Sequence, residues 1–339
     1  MKFISLLKIR SKKVVFAFSS SIIKFLGSNA VFFFLKIFNK SLFYKNENLI
    51  YIFRRKGNQG IISSVLFVIN ALKYLDKFKI PLYVDLKFYQ NELYHKEKKH
   101  NIWDDYFLQP CGTKSLKIKK NKLLNFPKFH LDLGEDWDVY NYKKLIDYQG
   151  TADKYIKLNN ITKLFVNKKI SEIISPGDKI LGVNVRYSYY VVRNNNTNPK
   201  QPDINLLLDD IKKIINNHSI NKILIVSEND NLILKIKKIY GKMVIFIKRP
   251  RINIAALSQN TLNIKNFSFS NDKLKKLIEF ADFGRKDEIV IKNREYLSEI
   301  YALAKCEHLI AGVCSGTIFS LLLKKGRFKT VKLYNLGHY

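Results

Sequence analysis

From residue 179 to residue 333, short apolar runs alternate with helical patterns, and this rhythm limits the fold more than any other feature of the chain. The runs 179–186, 222–227, 243–248, 307–311 and 328–333 read as strands, while 203–217, 230–240, 295–305 and 316–325 carry apolar residues at helical spacing. Strand and helix in turn argue for a parallel sheet with helices on both faces. A less regular, basic stretch, 249–292, interrupts them. The first half opens in the same way. Leu49–Phe53 reads as a buried strand, 61–78 as a helix with Val65, Val68, Ile69, Leu72 and Leu75 at helical spacing, and Pro81–Asp85 as a second strand. Together they form a βαβ unit. Residues 86–150 read as irregular and aromatic-rich, and 152–176 as one helix crossing into the second half, with Pro176-Gly177-Asp178 marking the boundary. The expected architecture is α/β: an N-terminal segment (1–45), an α/β domain (46–175) and a Rossmann-like domain (176–339), the two domains facing a central cleft.

The 339 residues hold 60 Lys and Arg against 28 Asp and Glu, a formal charge of +32. Such a balance invites a nucleic-acid reading. Two observations oppose it. The chain is rich in Lys, Ile, Asn, Phe and Tyr and has only 14 Gly, 7 Pro and 2 Trp, as expected from AT-rich codons. The lysines are also spread along the length, as on solvated faces. An anionic membrane surface or a phosphorylated substrate fits the charge better, and no nucleic-acid partner is expected. At 47% hydrophobic residues the chain has enough apolar surface for real cores, which excludes general disorder. The three cysteines, Cys111, Cys306 and Cys314, are odd in number and form no CxxC, and the six histidines show no ligand spacing. Neither a disulfide framework nor a metal site is expected, and a cytoplasmic location is the default.

Residues 14–38 are apolar over about the length that spans a bilayer, but Lys24 interrupts them and Lys2, Lys8, Arg10, Lys12 and Lys13 precede them. The pattern suits a helix lying on the inner face of the cell membrane; a packed helix and a true span are the alternatives.

Three turns carry candidate chemistry. The first is Leu181 to Arg186, a strand ending on an arginine. Ligands of parallel α/β sheets sit at the carboxyl ends of strands, and a guanidinium is a planar fork of donors suited to phosphate. A surface salt bridge is the alternative. The second is Val313-Cys314-Ser315-Gly316-Thr317, where a strand runs into a helix whose N–H groups could cradle a pyrophosphate. An ordinary N-cap is the alternative. Cys314 reads as a buried structural cysteine. The third is Gly57-Asn58-Gln59-Gly60, a basic turn before a helix, read either as an anion loop or as tight-turn chemistry.

The order of these segments resembles the fucosyltransferase-like glycosyltransferases, including the α-1,6 and nodulation type and their bacterial and O-fucosylating relatives. The resemblance covers about residues 49–334. Gly57-Asn58-Gln59-Gly60 is similar to a GNQ-like turn, and Trp103-Asp104-Asp105-Tyr106-Phe107 to an aromatic segment of bacterial members. Gly182-Val183-Asn184-Val185-Arg186 resembles a GVHVR-like strand, and Asn198-Pro199-Lys200-Gln201-Pro202 a GHPxQP-like loop. Ser227-Glu228-Asn229-Asp230 resembles a T/S-D-D-like motif, and Glu299 to Thr317, with Cys306, the last segment. The resemblance implies a GT-B enzyme without a catalytic metal or bound cofactor, taking a GDP-linked sugar donor and acting on a glycan or lipid-linked glycan acceptor. Arg186 would be the catalytic residue and hold the diphosphate. Ser227 and Asp230 would line the nucleoside site, Ser315, Gly316 and Thr317 would meet phosphate, and Asn58 would lie in the first-domain turn. The chain also departs from the family. Asn184 stands where the family carries histidine, and no carboxylate occurs from Arg186 to Pro202. Asp85, Asp104, Asp105, Asp136 and Asp138 are the alternative acids. The departures leave open another transferred group or an inactive homologue.

Overall fold

The computed structural model describes residues 50–53, 60–76, 81–87, 100–112, 123–124, 142–187, 199–251, 285–325 and 327–337. Residues 14–38, Asn58, Asp136, Asp138, the Ser188 to Asn198 loop and 252–284 lie outside the described residues. In the first half, β1 (Ile50–Phe53) and β2 (Leu82–Val84) pair parallel around α1 (Ile61–Asp76), as the βαβ pattern predicts. A third strand, β3 (Leu123–Leu124), pairs parallel with the other side of β1. Two paired residues are too short a signal to be read from alternation.

The single helix expected over 152–176 is instead two, α2 (Tyr142–Tyr155) and α3 (Asn160–Ser171). Long-range pairing makes the break. Leu158 bridges Phe107, Leu108 N donates to Lys157 O at 2.9 Å, and Asn159 N donates to Tyr106 O at 2.9 Å. Asn159 then caps α3 by accepting from Thr162 N at 2.8 Å. The aromatics of Trp103 to Phe107 are core: Trp103, Tyr106 and Phe107 are buried, the first two around a short 3-10 turn at Ile102–Asp105.

The second half forms the predicted parallel sheet. β4 (Ile180–Asn184), α4 (Ile204–Asn217), β5 (Lys222–Val226), α5 (Asp230–Tyr240), β6 (Val244–Ile245), α6 (Glu288–Leu303), β7 (His308–Gly312), α7 (Ser315–Leu323) and β8 (Thr330–Tyr334) follow in sequence. In space the strands run β6-β5-β4-β7-β8, all parallel. Period-two alternation divides the faces. Leu181, Val183, Ile223, Ile225 and Ile310 pack with Leu207 and Ile211 of α4 and Ile233 and Ile236 of α5. Ile180, Leu224, Leu309 and Ala311 face the other way, toward α6 and α7. Gly182 is on that second face, and a Cβ there would lie 2.9 Å from Leu303 Cδ2 and 3.1 Å from Cys306 Sγ. It lets α6 approach the sheet.

Two boundaries differ from expectation. β6 is shorter than 243–248 because a 3-10 turn (Gly241–Met243) delays it, and only Val244 and Ile245 pair with β5. α6 begins at Glu288, not at 295. Its first turns look polar, but their charges are paired: Arg285 bonds Glu288 at 2.7 Å and Glu295 at 2.8 Å.

The two halves share one apolar core. α6 packs on α3, and α7 packs on α1 and α2. Polar bonds fix the same seam: Gln149 Nε2 donates to Leu321 O at 2.8 Å, Asn293 Nδ2 to Tyr106 Oη at 3.0 Å, and Arg294 to Thr162 Oγ1 and Asp105 O, both at 3.1 Å.

Candidate functional site at the carboxyl ends of β4, β5 and β7

The chain winds outward from β4 through β5 to β6, then returns to the other side of β4 for β7 and β8. The switch point therefore lies between β4 and β7, where a parallel sheet opens a crevice at its carboxyl edge. Arg186 follows β4 there. Its backbone N–H donates to Gln201 Oε1 at 2.9 Å, and its Nε donates to Glu228 Oε1 at 3.3 Å. Gln201 is buried across the switch point, and its Nε2 donates to Pro199 O at 3.2 Å. A Cβ on Gly312, at the end of β7, would fall 2.4 Å from Gln201 Oε1. The glycine is what admits the glutamine. Tyr187 Oη also donates to Pro202 O, and Asp203 caps α4 by accepting from Asn205 N at 2.8 Å.

β5 ends beside Arg186. Ser227 is buried, and its Oγ accepts from Asn229 N at 3.2 Å. Asn229 caps α5, accepting from Asn231 N at 2.9 Å and Leu232 N at 3.3 Å. Asp230 opens the helix, where its charge suits the dipole. Arg186, Ser227 and Asp230 are thus brought to one edge, with Glu228 as the link.

At the start of α7, Cys314 is buried and its Sγ accepts from Thr317 N at 3.4 Å. The Thr317 hydroxyl donates to Gly312 O at 2.7 Å and accepts from Asn184 Nδ2 at 2.9 Å. It is committed to the turn between β7 and α7. Asn184 is likewise buried in this lock and also lies 3.7 Å from Cys314 Sγ. The Cβ direction of Gly316 is filled by Tyr296 Oη at 2.3 Å and Ile300 Cδ1 at 2.8 Å, so this glycine lets α7 pack on α6. Ser315 is half-buried at the first position of the helix, where backbone N–H groups have no intrahelical partners.

A group of residues that sequence reading missed lies behind the β5 loop. Arg249 meets Glu299 with two bonds, Nε to Oε1 at 2.9 Å and NH2 to Oε2 at 3.0 Å. Arg251 NH2 bonds the same carboxylate at 2.8 Å. Arg251 also donates from Nε to Ser227 O at 2.9 Å and from NH2 to Ile247 O at 2.8 Å. The Arg251 and Glu299 side chains are 2% and 0% exposed. Burial lowers the pKa of Arg251, and the like charge of Arg249 adds to this, while Glu299 opposes it. The signal was present as Arg249-Pro250-Arg251 directly after an apolar run, a pairing dissolved in the general basicity of 249–292.

Of the alternative acids, Asp85, Asp104 and Asp105 lie at the carboxyl edge of the first sheet. Asp85 follows β2 and is buried, its Oδ1 accepting from Lys87 N at 3.3 Å. Asn101 and Gln109 dock the 100–109 segment on Val84 O, at 2.8 and 3.1 Å. Asp104 there accepts from Gln109 at 2.6 Å and Asn101 at 3.0 Å, and its pKa is raised by burial. Asp105 lies 2.6 Å from His100 Nε2. Among the described residues no three His, Cys, Asp or Glu side chains gather as metal ligands, and no helix is long and apolar enough to cross a membrane.

No protein-family profile matches the sequence, and no curated protein matches it. Solved structures do show a similar chain path. The fucosyltransferase NodZ from Bradyrhizobium is 12% identical over 81% of this chain and 94% of its own, with a TM-score of 0.46. FUT1 of Arabidopsis thaliana, a variant in complex with GDP, is 11% identical over 82% of this chain and 69% of its own, at 0.41. POFUT1 in complex with GDP-fucose is 9% identical over 86% and 99%, at 0.43.

Proposed function

We propose that this chain is a glycosyltransferase that moves a sugar, fucose or a relative of it, from a GDP-linked donor to a glycan or lipid-linked glycan acceptor. The observation that carries the reading is the switch point itself. There an arginine with a buried backbone anchor stands opposite a helix N-terminus, on a sheet whose motifs resemble those of fucosyltransferases. A departing nucleoside diphosphate gains negative charge in the transition state. A preoriented guanidinium and the positive end of α7 oppose that charge without reorganising. In this reading Arg186 holds the diphosphate, the Ser227 to Asp230 loop borders the nucleoside, and the N–H groups at Ser315 and Gly316 meet phosphate. The Thr317 hydroxyl instead keeps the turn in shape. With positive charge supplied by the chain, transfer is expected to proceed without a metal ion. The basic, apolar segment 14–38 would keep the enzyme at the inner face of the cell membrane, near a lipid-linked acceptor.

Calorimetric titration with GDP, UDP, ADP and CDP, followed by transfer assays with GDP-fucose, tests the proposal. Arg186→Ala is expected to weaken diphosphate binding about ten- to a hundredfold, the worth of a charge-assisted bond, with the unfolding midpoint unchanged. Full activity in that variant would sink the assignment.

A second reading, another transferred group or an inactive homologue, draws on Asn184. Its amide is committed to Thr317, so the position of the family histidine holds no titratable group. Diphosphate binding without fucose transfer would favour it.

A further inference from the structure

The buried Arg249–Glu299–Arg251 group has no evident stabilising purpose. One buried carboxylate serves two guanidinium groups in a place almost without water, and Asp230 Oδ1 stands 4.0 Å from Arg251 Nε. Apolar residues of similar volume usually stabilise such a site as well or better, so a buried ion cluster is weak evidence for stability. Its contacts point elsewhere. Arg251 grips the Ser227 carbonyl, and the next residue, Glu228, holds Nε of Arg186. The charge of Glu228 also reaches Arg249. A continuous chain of charged and hydrogen-bonded groups therefore runs from Glu299 in α6, through Arg251 and the end of β5, to the arginine at the end of β4.

We propose that Arg251, held by Glu299 and Arg249, is a positioning residue that orients Arg186 for a nucleoside diphosphate by fixing the backbone under Glu228. The inference rests on the reading of Arg186 as the diphosphate anchor. It adds that the anchor's geometry is set from behind β5, by an arginine that Glu299 ties to α6.

The test is a double-mutant cycle on full-length protein, with GDP and inorganic pyrophosphate as probes. Arg251→Lys keeps the charge but loses the fork that bonds three carbonyls and a carboxylate at once. It is expected to weaken binding about tenfold, whereas adding it to Arg186→Ala changes nothing further. Independent, multiplying losses would overturn the inference while leaving the anchor reading intact. A second variant separates positioning from structure: Arg249→Met, Arg251→Met and Glu299→Leu together replace the cluster with apolar volume. The triple variant is expected to keep its circular dichroism and a cooperative unfolding transition yet lose diphosphate affinity. Wild-type affinity in the folded triple variant would overturn the positioning role. Should wild-type protein bind neither GDP nor pyrophosphate, the anchor reading fails first and takes this inference with it.

Discussion

Gly316→Ala separates two roles for one residue. If the glycine exists to let phosphate approach, a methyl group there should harm binding and spare the fold. The structure gives the opposite expectation. The new Cβ would lie 2.3 Å from Tyr296 Oη, 2.8 Å from Ile300 Cδ1 and 3.3 Å from Tyr296 Cζ. The ring of Tyr296 is rigid, so relief requires α7 to shift on α6, and overpacking of this kind costs about 1–3 kcal/mol. The higher helix propensity of alanine returns at most about 1 kcal/mol. The net expectation is a loss of about 1–2 kcal/mol. Urea unfolding followed by circular dichroism reads this as a lower midpoint at unchanged slope. Tyr296→Phe removes the nearest atom, leaving the movable methyl of Ile300 and a 3.3 Å contact. In that background Gly316→Ala should be neutral or mildly stabilising. A variant as stable as wild type but unable to bind GDP would refute the packing reading and restore the phosphate one.

Other outcomes can be measured on the same protein. Thr317→Val leaves the Asn184 amide and Gly312 carbonyl without their hydroxyl partner; it should cost about 1–3 kcal/mol in urea unfolding, and no loss would disprove the lock. Gly312→Ala places a methyl group 2.4 Å from Gln201 Oε1, the acceptor of the Arg186 backbone N–H. Diphosphate affinity should fall more than stability, and equal affinity in the variant would separate Gln201 from the site. His308 is buried with Nδ1 unpartnered and has its pKa lowered from 6.5, first by burial and then by the charge of His218. The unfolded chain therefore binds a proton that the folded one refuses, and stability falls as pH drops through about 6.5. His308→Phe should flatten that part of the melting temperature against pH curve, and an unchanged slope would assign it to other groups.

What could be read from the sequence was what has a period. The alternation of strand and helix predicted every strand of the second sheet: the inner strands β4, β5 and β7 are buried almost throughout and show as apolar runs, and the edge strands β6 and β8 follow from their place in the rhythm. α2 and α3 were fused because the break between them comes from Phe107, Tyr106 and Leu108, which lie far away in sequence. The early turns of α6 were lost because their charges look exposed until Arg285 is seen to pair with Glu288 and Glu295. Site residues followed the same logic. Arg186 and Ser227 follow the ends of predicted strands and Asp230 opens the next predicted helix, so their places in the fold were legible from the rhythm alone. Gly316 and Thr317 occupy the expected turn, but direction matters there, and both turn inward. The arginines at 249 and 251 stand out from the rest of the 60 Lys and Arg through the buried Glu299, which lies 48 residues beyond Arg251.

The seam between the halves has a practical consequence. The turn at Ser175 to Asp178, held by Ser175 N to Asp178 Oδ2 at 2.8 Å, looks like a place to cut the gene. Each fragment would carry away half of an unfinished interior: residues 176–339 would present the bare flanks of α6 and α7 to water, and the first fragment the matching sides of α1, α2 and α3. Expressed separately they should aggregate; expressed together they should recombine. The protein is therefore a better scaffold for split-protein complementation than a source of an isolated nucleotide-binding domain.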